Sequence, residues 1–459
     1  MVPKKNHSWR ISVIGLGFVG LSTAVYLAAR GYNVIASSNE KQKVKMINKG
    51  EVPFFEPDME QLLKRTLESS KLAAVIGREA AVLNTDITFV AVGTPSLPDG
   101  GADLAYIEST AKEIGVSLKR KKDYHLVVIK STVPPGTTEK VVKTSIERYS
   151  GKYAGKDFGL TMSPEFLREG SALYDIDHPD RVVIGQFDKR SGRILEKLNK
   201  DLYGNRVPIL KTSLASAELA KYASNAFLAT KVSFINQMAN ICEKIPGVDI
   251  VEIAQAVGLD HRIGQEFLRA GAGWGGSCFP KDTKALVALS KELQYELKLV
   301  EEVISINASQ AKHIVELAEE ELGNLKGKQI AVLGLSFKPN TDDIRDAPSL
   351  KIIEFLLAKG ARVTVFDPMA MDNARRVFGN KISYSADVPQ CLREADCCLL
   401  ITEWDKFKKL EPGDFIALMR HPILVDGRRI YDASTFSTQL RFRAVGLGKT
   451  TGSKNERAL

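Results

Sequence analysis

The sequence has no apolar run of the roughly 18–20 residues that a membrane span needs. Cysteine is scarce: Cys242, Cys278, Cys391, Cys397 and Cys398 are the five in 459 residues. So few exclude a disulfide framework, and no CxxC pair with zinc spacing is present, so no metal site is expected. The adjacent Cys397 and Cys398 stand in an apolar strand-like run and read as core. Segregated charge is missing too. The net charge is +9, yet Lys and Arg are scattered among Asp and Glu, whereas nucleic-acid binders gather them on one face or tail. The one dense run, KRKKD at 119–123, follows a helical pattern and reads as a solvated helix end. The start, MVPKKNHSWR, runs straight into an apolar strand with no small-residue cleavage site, so no signal peptide is expected. A cytoplasmic protein with no nucleic-acid or membrane partner is the expectation.

What is present is alternation. Residues 10–210 alternate short apolar strands (RISVIGLG, YNVIASS, ITFVAVGT, YHLVVIKST, GLTMSP, RVVIG) with amphipathic helices. That pattern predicts a mostly parallel sheet with helices on both faces. From Leu214 about 30 residues keep apolar positions at helical spacing without Gly or Pro, which predicts one long helix. Helical sequence continues to about Leu325, interrupted by a glycine run at 271–282. Alternation restarts at 327 with GKQIAVLGLSF, RVTVFDP, DCCLLIT and PILVDGRRI. The predicted fold is α/β: two Rossmann-like, doubly wound parallel-sheet domains joined by a long central helix. The expected boundaries are 1–210, 211–325, 326–450 and a disordered tail at 451–459.

GLGFVG at 15–20 fits G-x-G-x-x-G, follows a strand and opens a helix, which is the context a dinucleotide site requires. Gly15 permits the tight turn, Gly17 lets backbone approach a pyrophosphate, and Gly20 lets helix and strand pack closely. Phe18 and Val19 open the helix whose amino end faces the anion. An acid is expected at the end of the second strand, to meet the ribose hydroxyls. That strand ends instead in Ser37, Ser38 and Asn39, with Glu40, Lys41 and Lys43 close by. NAD is the expected cofactor. NADP is the alternative, because Ser38 with nearby lysines such as Lys43 suits a 2′-phosphate.

Several further stretches occur in order along nearly the whole chain: EVPFFEPDMEQLL at 51–63, VGTPSLPDGGADL at 92–104, KSTVPPGTT at 130–138 and SPEFLREG at 163–170. They are followed by AELAKYASNAFLATKVSFIN at 217–236, GWGGSCFPKD at 273–282, GLSFKPNTDDIRDAPS at 334–349 and DGRR at 426–429. Together with GLGFVG they resemble the nucleotide-sugar 6-dehydrogenases, the UDP-glucose/GDP-mannose dehydrogenase family. The resemblance implies a UDP-sugar substrate. UDP-glucose is favoured, because Ser277 and Phe279 flank the cysteine where other branches tend to have His or Leu; GDP-mannose is the alternative. Ser163 stands where family members often have Asn.

Turning a primary alcohol into an acid removes four electrons, so two nicotinamides must bind in turn while the aldehyde is retained. A thiolate retains it as a thiohemiacetal, then a thioester for water to hydrolyse. Cys278 fits that role, with glycines at 273, 275 and 276 giving backbone room. Lys221 and Asn225 are four apart on the long helix and share a face, where they can steady an oxyanion. The resemblance implies that Asp282 and Thr132 place a water and that Glu165 is the base for hydrolysis. It implies cofactor contacts from Thr94, Ser131, Thr132, Glu169 and Arg345. Substrate contacts are implied for Glu165, Phe166, Leu167, Gly275, Phe337, Lys338 and Arg428, besides Lys221 and Asn225. It also implies a homodimer with the long helix as seam, in which Arg262 reaches the partner's site.

Overall fold

The computed structural model describes residues 9–449; the tail expected at 451–459 lies outside them. The chain forms two compact units. The first runs to Ser224 and includes Lys284–Gln294; the second comprises Asn225–Thr283 and the chain from Tyr295 onward.

The first unit is built on an eight-stranded sheet. Its strands are β1 (Arg10–Ile14), β2 (Asn33–Ser38), β3 (Leu72–Ile76), β4 (Ile87–Val90), β5 (His125–Ile129), β6 (Phe158–Met162), β7 (Val182–Gln186) and β8 (Ile209–Thr212). They lie in the order β3-β2-β1-β4-β5-β6-β7-β8. Neighbours are parallel except β6 and β7. Every residue of β4, β5 and β6 is buried, as a strand covered on both faces requires. Successive side chains alternate faces, so Ile11 and Val13 join one apolar cluster while Ile14 joins another on the opposite face. The chain order reverses at β1, between β2 and β4. That switch point is where an open α/β sheet leaves a crevice for ligands.

The second unit holds a six-stranded parallel sheet of β9 (Gln329–Leu333), β10 (Arg362–Phe366), β11 (Ser383–Tyr384), β12 (Cys397–Leu400), β13 (Ile423–Asp426) and β14 (Arg441–Ala444). The order is β11-β10-β9-β12-β13-β14. Cys397 and Cys398 are both fully buried in β12 and serve opposite faces, one in each apolar cluster. Burial pushes both thiols far up.

The predicted long helix is Leu214–Cys242, 29 residues, or about 43 Å at 1.5 Å per residue. It starts in the first unit and ends in the second. Helices Ile250–Gly258, Phe279–Glu292 and Lys298–Leu322 follow.

Two details differ from expectation. β3, β8, β11 and β14 are absent from the strands predicted by sequence, and they are the four outer strands of the two sheets. An edge is covered on fewer sides: β8 (ILKT), β11 (SY) and β14 (RFRA) lack a continuous apolar run, and β3 (LAAVI), though apolar throughout, buries only Leu72 and Ala74. KRKKD is also not wholly solvated. Its Lys121 is buried, donating to the carbonyls of Val82 at 2.8 Å and of Thr85. It serves as a cap on the segment before β4, and burial lowers its ammonium pKa.

Candidate active site

The glycine loop after β1 has the shape a dinucleotide needs. Gly15 has φ +95°, and a Cβ there would lie 2.5 Å from the Ala91 carbonyl oxygen. A Cβ on Gly20 would lie 1.7 Å from the Gly15 oxygen, so the helix Phe18–Ala29 packs against the turn only through glycine. Gly17 is the opposite case: nothing stands within 4 Å of its Cβ position. Open space at the middle glycine, with the first N–H groups of a helix alongside at Phe18 and Val19, is what a pyrophosphate requires. The residues therefore fit NAD. Phe18 is steadied by Phe54, ring centroids 5.5 Å apart. At the end of β2, Ser38 is buried and its Oγ accepts from the Glu40 amide at 3.1 Å. Lys43 is bound to Glu40 at 2.6 Å, so the nearest acid and the nearest expected cation hold each other.

Two loops leaving β4 and β5 are laced together beside this crevice. Ser131 Oγ donates to the Val92 carbonyl at 2.7 Å, and Thr94 Oγ1 donates to the Thr132 carbonyl at 2.8 Å. Thr132 was expected at a strand end; it lies in the loop three residues beyond Ile129, because the chain turns away to build this lacing. Among the described residues no side chain or backbone group of the protein bonds to Thr132 Oγ1, which leaves it available to a ligand or water.

Glu165, after β6, forms a buried ion pair with Lys221 of the long helix: Oε1 to Nζ is 3.0 Å, with both side chains more than nine-tenths buried. Its Oε2 accepts from the Leu167 amide at 2.5 Å. Burial pushes the Glu165 carboxyl up, but Lys221, the Leu167 amide and Lys130 together pull it below the usual carboxylate range. It is ionised at neutral pH, as a base must be. Lys130 carries no predicted role, yet it faces the same pair. Its ammonium is brought down to about 8, chiefly by burial and further by Lys221, against the upward pull of Glu165. Its position directly before Ser131 and Thr132, at the mouth of a buried strand, is the signal that marks it. Phe166 lies under the Arg181 guanidinium at 4.0 Å and near Lys221 at 5.4 Å. Glu169 is half-buried in the same loop, and Arg168 beside it pairs with Asp175 at 2.6 Å.

The second unit carries the cysteine. Cys278 is the one described cysteine that is not buried. It directly precedes the helix Phe279–Glu292, and its carbonyl accepts the Asp282 amide at 2.8 Å. A helix amino end stabilises negative charge, so the place suits a thiolate. Asp282 is buried and engaged on both oxygens: Asn225 Nδ2 donates to Oδ2 at 2.6 Å and Lys281 Nζ to Oδ1 at 2.5 Å. Lys281, without a role on sequence grounds, is thus the counter-ion of Asp282.

The glycines around the thiol are demanded by packing. Gly276 has φ +86°, and its Cβ would lie 2.8 Å from the Phe337 ring. A Cβ on Gly275 would lie 2.3 Å from the Asp346 carbonyl oxygen. The Gly276 amide donates to the Arg345 carbonyl at 2.8 Å, while the Arg345 side chain is exposed and pairs with Asp343 at 2.5 Å. Arg428 braces this region: its Nε donates to Ile401 O at 2.6 Å and its Nη1 to Gly273 O at 3.2 Å. Lys338 Nζ stands 5.4 Å from the Phe337 ring. Arg262 is exposed and pairs with Asp260 at 2.5 Å on its own loop. Among the described residues no group of three or more His, Cys, Asp or Glu side chains has the arrangement of a metal site.

Three consecutive family models match the chain. They are the NAD-binding domain of the UDP-glucose/GDP-mannose dehydrogenase family at 9–203, its central domain at 215–309 and its UDP-binding domain at 331–433. The UDP-glucose 6-dehydrogenase TuaD of Bacillus subtilis is 42% identical over 423 residues, 92% of this chain and 89% of that protein. A UDP-glucose 6-dehydrogenase of Rhizobium meliloti is 40% identical over 442 residues, 95% of this chain and 99% of that protein. Among solved structures, a UDP-glucose dehydrogenase from Pyrobaculum islandicum superposes with a TM-score of 0.89 at 40% identity, covering 97% of this chain and 100% of the other.

Proposed function

Because the chain belongs to the UDP-glucose/GDP-mannose dehydrogenase family, we propose that it oxidises UDP-glucose to UDP-glucuronate with two NAD, through a thioester on Cys278. The observation that carries this reading is the setting of Cys278: the one unburied thiol, at a helix amino end, in a turn whose glycines are sterically required.

Each NAD, held at Gly15–Gly20, supplies a hydride acceptor. Lys221, an ammonium buried against Glu165, stabilises the alkoxide at C6 before the first hydride leaves and the oxyanion of each tetrahedral adduct afterwards. The C6 hydroxyl gives its proton to water at Thr132 Oγ1 as the alkoxide forms, and the Cys278 thiolate then adds to the aldehyde carbon, the C–S bond forming as the carbonyl π pair moves onto oxygen. Loss of the second hydride from that carbon gives the thioester. Glu165, ionised at neutral pH, takes a proton from water as it attacks the acyl carbon; the C–S bond breaks and the thiolate is regenerated beside the product carboxylate. Thr132 Oγ1 holds water for these proton transfers. Asn225, its amide fixed by Asp282 at 2.6 Å, donates to the same oxyanion. Lys338 and Arg428 meet the diphosphate, with Phe166, Leu167 and Gly275 lining the sugar.

The same reading includes a homodimer. On the part of the long helix in the second unit, Phe227, Phe234 and Ile241 recur every seven residues at 66%, 47% and 50% exposure. Leu259 and Ile263 are exposed nearby in sequence, around Arg262. An apolar stripe of this kind is covered by a second copy of itself. The five cysteines form no disulfide, which supports a cytoplasmic setting.

The test is an assay of UDP-glucose, GDP-mannose and UDP-N-acetylmannosamine, each with NAD and with NADP. Two NAD reduced per UDP-glucose is expected. Cys278→Ser should lower the four-electron turnover by at least about 10³-fold, on the scale of losing a covalent nucleophile; full activity of that variant would overturn the thioester.

A further inference from the structure

Glu218 is a buried carboxylate to which the chemistry above gives no task. It stands one turn before Lys221 on the long helix and is fully shielded from solvent. Its Oε2 accepts from the Gly136 amide at 2.5 Å, and its Oε1 from the Thr138 amide at 2.7 Å. These amides end the loop that leaves β5, passes through Lys130, Ser131 and Thr132, and turns at Gly136 with φ +92°. Thr138 then opens a helical turn at Thr138–Lys143. The first amides of a helix have no partner inside it, and a carboxylate there is stabilised by the aligned peptide dipoles.

The consequence is geometric. At one end the loop is laced to the cofactor side by Ser131 and Thr94. At the other it is held by a side chain of the helix that carries Lys221. Lys221 in turn holds Glu165 at 3.0 Å. Three chain segments that are distant in sequence, after β5, after β6 and from residue 214 onward, therefore share one set of fixed distances. A buried carboxylate is costly to desolvate unless fully hydrogen-bonded, and here both oxygens are used on the loop alone.

We propose that Glu218 is a positioning residue for the oxidation: it clamps the 130–138 loop to the long helix and so sets Thr132 against Lys221 and Glu165. The proposal rests on the functional reading above. Positioning within an active site is worth a great deal, since a displacement of about 1 Å costs roughly a hundredfold in rate.

The experiment is a double-substitution cycle of Glu218→Gln and Thr132→Ala, with kcat and KM measured for UDP-glucose and NAD. Glu218→Gln keeps one acceptor but turns an NH2 toward a backbone N–H. It should lower kcat by roughly ten- to a hundredfold, with the KM for NAD within about twofold. In the Thr132→Ala background it should cost less than about threefold further, because coupled residues are not additive. Equal fold losses in both backgrounds would make Glu218 a structural residue and overturn the proposal. If Glu218→Gln does not fold, Glu218→Asp, which keeps the charge on a shorter arm, runs the same cycle. Amide exchange at Gly136 and Thr138 tests the clamp without catalysis. Faster exchange in the variant than in wild type supports it, unchanged exchange overturns it, and wild type inactive on every nucleotide sugar sinks the functional reading alone.

Discussion

The two sheets begin alike and treat their first loop in opposite ways. In the first unit the loop after β1 leaves its middle glycine facing open space. In the second unit the loop after β9 is closed from within. Asp367, at the end of β10 and 1% exposed, turns its carboxylate onto that loop. Its Oδ2 accepts from the amides of Leu335 at 2.7 Å and Ser336 at 3.1 Å, from Ser336 Oγ at 3.1 Å and from Trp404 Nε1 at 3.1 Å. Its Oδ1 accepts from the amides of Met369 and Ala370, both at 2.8 Å. An acid at the end of the second strand is the residue expected to meet a ribose. Here that position exists in the second sheet, where it fills the anion cradle itself, while the first sheet has Ser38 there. The loop after β1 thus stays open at its middle glycine, while the loop after β9 is filled by the protein's own carboxylate.

The sharpest way to break the contrast is at the glycines. Gly20→Ala places a Cβ 1.7 Å from the Gly15 oxygen, an overlap with backbone that should destabilise the first unit by about 3 kcal/mol or more and abolish NAD binding. Gly334→Ala, with φ +99° and a Cβ 2.4 Å from Thr402 Cβ, should destabilise the second unit comparably while NAD affinity stays within about twofold of wild type, since substitutions without shared partners act independently. Thermal unfolding and calorimetric NAD titration separate the two.

Asp367→Asn is next in size. The amide sets an NH2 against two backbone donors and removes a charge from six hydrogen bonds, so a loss of about 2–3 kcal/mol is expected. Phe337 and Lys338 follow directly on Ser336, so the KM for UDP-glucose should rise while NAD affinity holds. Gly17→Ala is the complement: its Cβ meets nothing within 4 Å, so the melting temperature should stay within about a degree or two. NAD affinity should nevertheless fall roughly tenfold, because the methyl occupies ligand space. A variant that lost stability without losing affinity would erase the distinction between the loops.

Much of this was legible in the sequence, and the exceptions have a physical pattern. GLGFVG, the long helix and the cysteine turn are local signals: periodicity, a glycine spacing, a helix without breakers. Glu218, Lys281 and Asp367 carry no such mark, and Lys130 has only its place directly before Ser131. Each takes its meaning from a partner 30 or more residues away or, for Lys281, from a carboxylate whose other oxygen is held by Asn225. Lys121 reads as one more lysine in a basic run until its ammonium is found on buried carbonyls. Three of the four outer strands differ for the reverse reason: half-covered, β8, β11 and β14 have no continuous apolar run to read.

The smallest effect tests the open character of the first sheet through its charge. Lys130 is drawn down to about 8 by burial and by Lys221, against the pull of Glu165, so in the folded protein it gives up its proton well before it would in the unfolded chain. The unfolded chain then binds more protons between pH 8 and the ordinary lysine value near 10.4, and stability contributed at this site rises with pH across that window. Below pH 8 the full cost of holding the charged ammonium beside Lys221 is present. Lys130→Met removes the titration, so denaturant midpoints of wild type and variant should converge as pH rises from about 8 toward 10, with the variant ahead at pH 7. Losing the Lys130 charge also leaves Glu165 with Lys221 and the Leu167 amide only, so the variant's Glu165 should titrate higher and the acid limb of its kcat profile should move upward. A pair of profiles that stayed parallel from pH 7 to 10 would mean that Lys130 keeps its proton throughout, and that this corner of the first unit is as firmly closed to solvent charge as the Asp367 cradle of the second.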